Sequence, residues 1–192
     1  MGRAATGGST GRQEQARRTR QQLIDAGLRL SERTSLAGMS VNMIVDEAGV
    51  AKGTFFHHFA DRAGFLLALH REFHERLFDE ILAAIRDLAP GRVRLLRAAD
   101  GYLDGCLRDR GVRALLVEAR AEPAVVQAVL DNNDKVAEIV RPDFEAMGWP
   151  HAAAAARLWN GMVVEAALVE LRAAGRQPSV RAALELFLGP PA

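Results

Sequence analysis

Two short apolar-faced segments, residues 41–48 and 51–58, meet at Ala48-Gly49-Val50, and this corner constrains the chain more than any other feature. Ser40 is a natural N-cap for the first segment. Gly49 ends it, because a tight turn needs a residue that adopts positive φ without steric cost. Ile44 and Ala48 face inward from the first helix, Val50 plugs the turn, and Phe55 and Phe59, four apart, turn one side of the second helix to the core. That arrangement leaves Lys52, Gly53, Thr54, Phe56 and His57 outside. Two short helices joined through glycine cross steeply, and the second then fits the major groove of DNA. Gly53 costs a helix about 1 kcal/mol relative to alanine, which makes sense where the backbone must come close to something bulky, such as a phosphate or a base edge. Spacing alone also allows an ordinary corner in an all-α protein, with Phe55, Phe56 and Phe59 as core.

The remaining segments read as helix throughout. Residues 13–33 carry Leu23, Ala26, Gly27 and Leu30 at i, i+3, i+4, i+7. Asp61 is placed to cap a long amphipathic helix reaching about Leu88, with Phe65, Leu66, Leu69, Phe73 and Leu77 on one side. After Ala89-Pro90-Gly91, helices are expected over 92–108 and 112–121. Another opens at Pro123 and kinks or ends at Pro142, since proline removes a ladder bond and clashes with the preceding turn. Two more span 151–174 and 180–188. The expected fold is all-α, about nine helices: a three-helix head and a larger helical body. Residues 1–16 read as a flexible basic arm, 17–60 as the head and 61–192 as the body.

Net charge is +1 over 192 residues, yet it is unevenly spread. Residues 1–62 hold nine Lys/Arg against six Asp/Glu, or +3, which leaves −2 for the other 130. A basic head on a slightly acidic body has the right sign for DNA. Arg12, Arg17, Arg18 and Arg20 would add phosphate or minor-groove contacts, or form a solvated tail. No run of about 18 charge-free apolar residues occurs, which predicts no membrane span. The N-terminus lacks the apolar block of a signal peptide, and one cysteine, Cys106, suits a reducing cytoplasm.

The corner and its flanks resemble the signature of the TetR (tetracycline repressor-like) transcriptional regulators, T-x-x-x-I-A-x-x-A-G-V-x-x-G-T-L-Y-x-H-F-x-x-K-x-x-L. The match lies at Ile44, Ala48-Gly49-Val50, Gly53-Thr54 and His58-Phe59, and covers residues 17 to about 66. Val41, Val45 and Phe55 depart from the pattern as packing changes. Phe56 stands where the family usually has tyrosine and so lacks a hydroxyl for phosphate. Arg62 replaces lysine and keeps the charge. The resemblance implies a homodimer binding double-stranded operator DNA, with a body that dimerises and holds a small-molecule inducer. Carried over residue by residue, Lys52, Gly53, Thr54, Phe56 and His57 would contact DNA, with Ser40 and Arg62 on phosphates.

In the body, the helix 151–174 has nine alanines in 24 residues, and with 180–188 it resembles the family's dimerising pair. Ala167 and Leu171 are expected at that interface, while Arg157, Gly161, Glu165, Leu168 and Arg172 share the wetter arc. Asn160 falls on an apolar arc and is therefore an inducer contact, a dimer contact or locally satisfied. Trp159 is core or a ligand platform. Tyr102 and Cys106 are core or, as the resemblance implies for helix 92–108, line the inducer pocket. His70 and His74, like Asp100 and Asp104, are spaced i, i+4. Without a third ligand they read as solvated faces rather than a metal site. No cofactor motif emerges, and no nucleophile–base set, paired carboxylates or phosphate loop supports an enzyme. A binding module with a purely structural body is the remaining alternative.

Overall fold

A computed structural model describes residues 7–189, which form nine α-helices, one short 3₁₀ turn and no strand. The helices are α1 (Gly7–Ser31), α2 (Val41–Ala48), α3 (Lys52–His58), α4 (Arg62–Ile85), α5 (Arg92–Arg108), α6 (Arg110–Glu118), α7 (Pro123–Ala146), α8 (Ala152–Arg172) and α9 (Pro178–Phe187). The 3₁₀ turn, Ala119–Ala121, links α6 to α7.

The local signals behave as the sequence predicts. The Ser40 hydroxyl accepts the Met43 N–H, and the Asp61 carboxylate accepts the Gly64 N–H at 2.8 Å. Gly49 takes φ 68°, left-handed, and its own N–H closes the end of α2. Ile44, Phe55, Phe59 and Phe65 are buried together, the three rings within 5.2–5.4 Å of one another. The side chains of Leu23 and Ile24 from α1 complete this core. A single hydrophobic core then continues from the head into the body along α4.

Three expectations are corrected. The helix α1 begins at Gly7, so from residue 7 the expected arm is helical; residues 1–6 lie outside the described residues. Pro142 sits inside α7, which runs on to Ala146. The turn beyond it is held tertiarily: Asp143, 1% exposed, pairs with Arg94 at 2.8 Å and accepts the Gly91 N–H, and Phe144 is buried. Ala167 is 1% exposed within the protomer, so it is core and not an outer face.

α8 is long and apolar enough to cross a membrane by length and composition, but it packs among α5, α7 and α9. Its outer arc includes Arg157, Gly161 and Glu165, with Leu158 on the same side 72% exposed. On α9, Leu186 and Phe187 are 78% and 62% exposed. At the inner seam, buried Glu170 holds Arg181 by two 2.8 Å bonds and also accepts the Gln177 N–H. Asp100 and Asp104 join this seam at 3.0 and 2.7 Å from Arg181, so the pair is an ion network rather than a free face. Burial works to raise the Glu170 carboxyl, but Arg181 and the Gln177 N–H offset it and hold it below the ordinary value.

Candidate DNA-binding head and effector cavity

The second helix of the corner presents a continuous open surface. Lys52, Gly53, Phe56 and His57 are exposed and Thr54 is half-buried, while Phe55 points the other way with no exposure. Phe56 is 49% exposed and packs edge-on against Phe55. A Cβ at Gly53 would meet nothing within 4 Å, so the space in front of it is open to a partner. Ser40 stands at the N-terminus of α2, its hydroxyl oxygen occupied by the Met43 N–H.

Arg62 is different from its expected role. It donates to the carbonyls of Met39, at 3.2 Å, and Leu36, so it ties the loop before α2 to the start of α4. Those carbonyls end a non-helical turn and lack helical partners, which is why a guanidinium is drawn inward. Arg29 and Arg33 of α1 are likewise engaged, both on Glu47 of α2, whose carboxyl they hold below its usual value. Arg20 lies over the Phe59 ring at 5.2 Å. The head's cations thus largely brace its own helices, and Lys52 leads the exposed set on α3.

The body encloses a cavity of about 70 Å³ between α4, α5, α6, α7 and α8, room for roughly five waters or a compact organic molecule. Phe78, Ile81, Ile85, Val140 and Val163 supply apolar wall; Tyr102, Trp159 and Asn160 also line it. Asn160 donates to the Asn133 carbonyl oxygen at 3.1 Å, so its amide is locally satisfied at the cavity edge. Cys106 is not on the wall. Four residues beyond Tyr102, it is turned about 40° further round the helix and is buried in packing, where burial pushes its thiol up.

Four titratable wall residues were not anticipated as site residues. His70 and His74 are 3% and 6% exposed, not solvated, and their rings face the cavity. Their stacked rings lie 4.2 Å apart, and no group of three metal-binding side chains occurs among the described residues. Burial, then the charges around them, lowers His70 to about 4 and His74 to about 3, so both rings are neutral at pH 7. His74 Nδ1 lies 2.9 Å from the His70 carbonyl. A carbonyl only accepts, so that nitrogen carries the proton and Nε2 presents a lone pair.

The other two are Arg113 and Arg120. Arg113 is 3% exposed, and its Nε and Nη2 are buried without a hydrogen-bond partner. Its guanidinium lies 6.0 Å from the Tyr102 ring centre, whose phenol burial keeps neutral. Arg120 lines the same wall and has its charge disfavoured by burial and by Arg113. A sequence signal exists in retrospect: Arg113, Leu116 and Arg120 recur at i, i+3, i+7, which puts two cations on one side of a helix with an apolar residue between them.

α6 links cavity and head. Gly111 packs so closely that a Cβ there would lie 2.3 Å from the Ser31 carbonyl oxygen at the end of α1. Seven residues on, Glu118 accepts the Leu36 N–H at 2.9 Å.

A helix–turn–helix with an open second helix, carried on a helical body that holds a cavity, is the build of a DNA-binding regulator. Residues 23–69 match the model of the bacterial regulatory proteins of the tetR family. A curated relative, the HTH-type transcriptional regulator BetI of Cronobacter sakazakii, is 34% identical over 87 residues. That match takes in 44% of this chain and less than half, 43%, of the relative. Among solved structures, the multidrug binding protein EbrR complexed with imidazole has a TM-score of 0.72 at 23% identity, covering 90% of this chain and 96% of that one. A transcriptional regulator from Saccharomonospora viridis in complex with choline has a TM-score of 0.67 at 20% identity, covering 88% and 92%. Residues 23–69 thus carry the DNA-binding segment of the tetR-family regulators, and the chain as a whole shares the fold of the solved regulators it resembles.

Proposed function

We propose that this protein is a ligand-responsive, cytoplasmic repressor that binds a palindromic operator as a homodimer and is released by a small molecule. The observation that carries the reading is the double engagement of α6. One side of this helix brings Arg113 and Leu116 to the cavity, while Gly111 and Glu118 touch the head at Ser31 and Leu36. A molecule that draws on Arg113 therefore works on the helix that sets where the head sits. Ligand acts only through different affinities for the two head positions. The imidazole and choline held by the two structural neighbours support a small-molecule site in a body of this fold. A purely structural body gives no reason for two cations on a cavity wall.

On the DNA side, Lys52 meets a phosphate and Thr54, His57 and the open face at Gly53 meet base edges, with Phe56 beside the backbone and Ser40 at the α2 N-terminus. Arg62 supports this face from behind. Two such heads are set by a dimer through Leu158 of α8 and Leu186 and Phe187 of α9, which are too apolar and exposed to face water in isolation.

The test is operator selection from random DNA, followed by a screen for compounds that release the complex. The reading expects a two-fold symmetric site and at least one releasing compound. Gly111→Val should alter operator affinity or its response to that compound although Gly111 touches neither. Selection of no sequence, or a compound that binds the cavity and leaves operator affinity unchanged for every DNA spacing, counts against it.

A further inference from the structure

The cavity's charges say which molecules it takes. Two guanidiniums, Arg113 and Arg120, line one wall, and no aspartate or glutamate is among the lining residues. Neither arginine forms an ion pair with a described residue, whereas the body's largely covered arginine side chains Arg92, Arg94 and Arg181 are each matched to a carboxylate. A buried charge without a partner is costly, and a fold that keeps one holds a place for its counter-ion. Arg113 lacks more than charge balance: its Nε and Nη2 are buried with no acceptor among the described residues. These two nitrogens form the edge of the guanidinium fork that pairs bidentately with a planar carboxylate.

The surroundings fit the remainder of such a molecule. His70 and His74 are neutral, so neither adds charge to the lining. Phe78, Ile81, Ile85 and Trp159 in the same lining offer apolar surface to a compact hydrocarbon or aromatic body. Asn132 and Asn133 on α7 offer amides near the mouth. We infer that the effector is a small amphipathic carboxylate, its charged end on the buried edge of Arg113 with Arg120 adding long-range attraction, and its apolar end between α4 and α8. This rests on reading the cavity as the effector site, and it sets this cavity apart from one built for a quaternary ammonium, which needs aromatic faces or carboxylates around the charge.

The experiment uses isosteric probes on the wild-type protein: 4-phenylbutyrate and octanoate, their primary amides, and the matching amines. Binding is read by Trp159 fluorescence and by thermal shift. The carboxylates should bind at least tenfold more tightly than the amides, and the amines not at all. Arg113→Met should bring carboxylate and amide to within about twofold of each other, Arg113→Lys should retain part of the preference, and Arg120→Met should weaken carboxylate binding by a smaller factor. Amides or amines that bind as tightly as the acids, or acids that fail to bind, would overturn the assignment. The wild-type series needs no variant to fold. Operator release is measured separately. A carboxylate that binds through Arg113 but leaves operator affinity unchanged keeps the charge assignment and removes the inducer reading instead.

Discussion

Arg181 and Arg113 are the same side chain placed in opposite circumstances. At the α8–α9 seam, the Arg181 side chain is 8% exposed and meets Glu170, Asp100 and Asp104. In the cavity, Arg113 is 3% exposed and meets no carboxylate. The first site is closed: its donors and acceptors satisfy one another and stiffen the joint between two helices. The second is left open, its hydrogen-bonding capacity unmet in a residue that lines a cavity. Burial alone thus does not separate structure from function in this molecule; pairing does.

The sharpest way to break the contrast is to remove a partner from the closed site. Glu170→Gln leaves Arg181 short of its best acceptor in a buried position, which costs about 3–5 kcal/mol. Urea denaturation should show the midpoint falling sharply, and an unchanged midpoint would mean that the exposed aspartates carry the pairing. The open site should respond with the opposite sign. Arg113→Met replaces an uncompensated charge with an apolar side chain of similar length, so the ligand-free protein should gain about 1–3 kcal/mol. A loss of stability would show that Arg113 has a partner in the ligand-free protein after all.

The neutral histidines give a pH signature confined to the cavity. Their folded values, about 4 and about 3, lie below the ordinary 6.5, so the unfolded chain binds protons first. Stability is therefore full above pH 6.5 and is lost as pH falls toward 4, by on the order of 1 kcal/mol per pH unit for each ring. Denaturation at pH 7.5, 6 and 5 measures the slope, and His74→Gln should flatten it. A wild-type stability that rises on acidification would contradict neutral buried rings.

The smallest effect tests the head. Phe56 is half exposed, so Phe56→Tyr should leave the melting temperature unchanged and tighten operator binding by about 1 kcal/mol if the ring flanks a phosphate. A drop in melting temperature without gain in affinity would place the ring in packing. In the same assay, Lys52→Ala should weaken all DNA sequences alike and reduce the salt slope by about one.

The two regions also differ in how far they could be read from the chain. The head was legible because Ser40, Gly49, Phe55 and Phe59 act on neighbours within a few residues, and the motif around them fixes which side is open. Even there Arg62 misled: a cation at the start of α4 looks ready for phosphate until the carbonyls of Leu36 and Met39 arrive beneath it. In the body, Tyr102, Trp159 and Asn160 were found on the cavity wall, while Cys106 was not. His70 and His74 sit among Arg71, Glu72, Glu75 and Arg76, a polar run that reads as solvated. Only the packing of α5, α6 and α7 over that part of α4 buries them.

The sequence by itself determined the all-α class, the helix–turn–helix, its caps and the exposed set on α3, since helix periodicity and capping are decided within about one turn. Tertiary structure alone decided which charges are neutralised. Leu36 meets Glu118 across 82 residues, and Arg181 meets Asp100 across 81. Arg113 meets no carboxylate among the described residues. Whether a charge finds its counter-ion is a property of distances in space, and no local pattern in the chain encodes it.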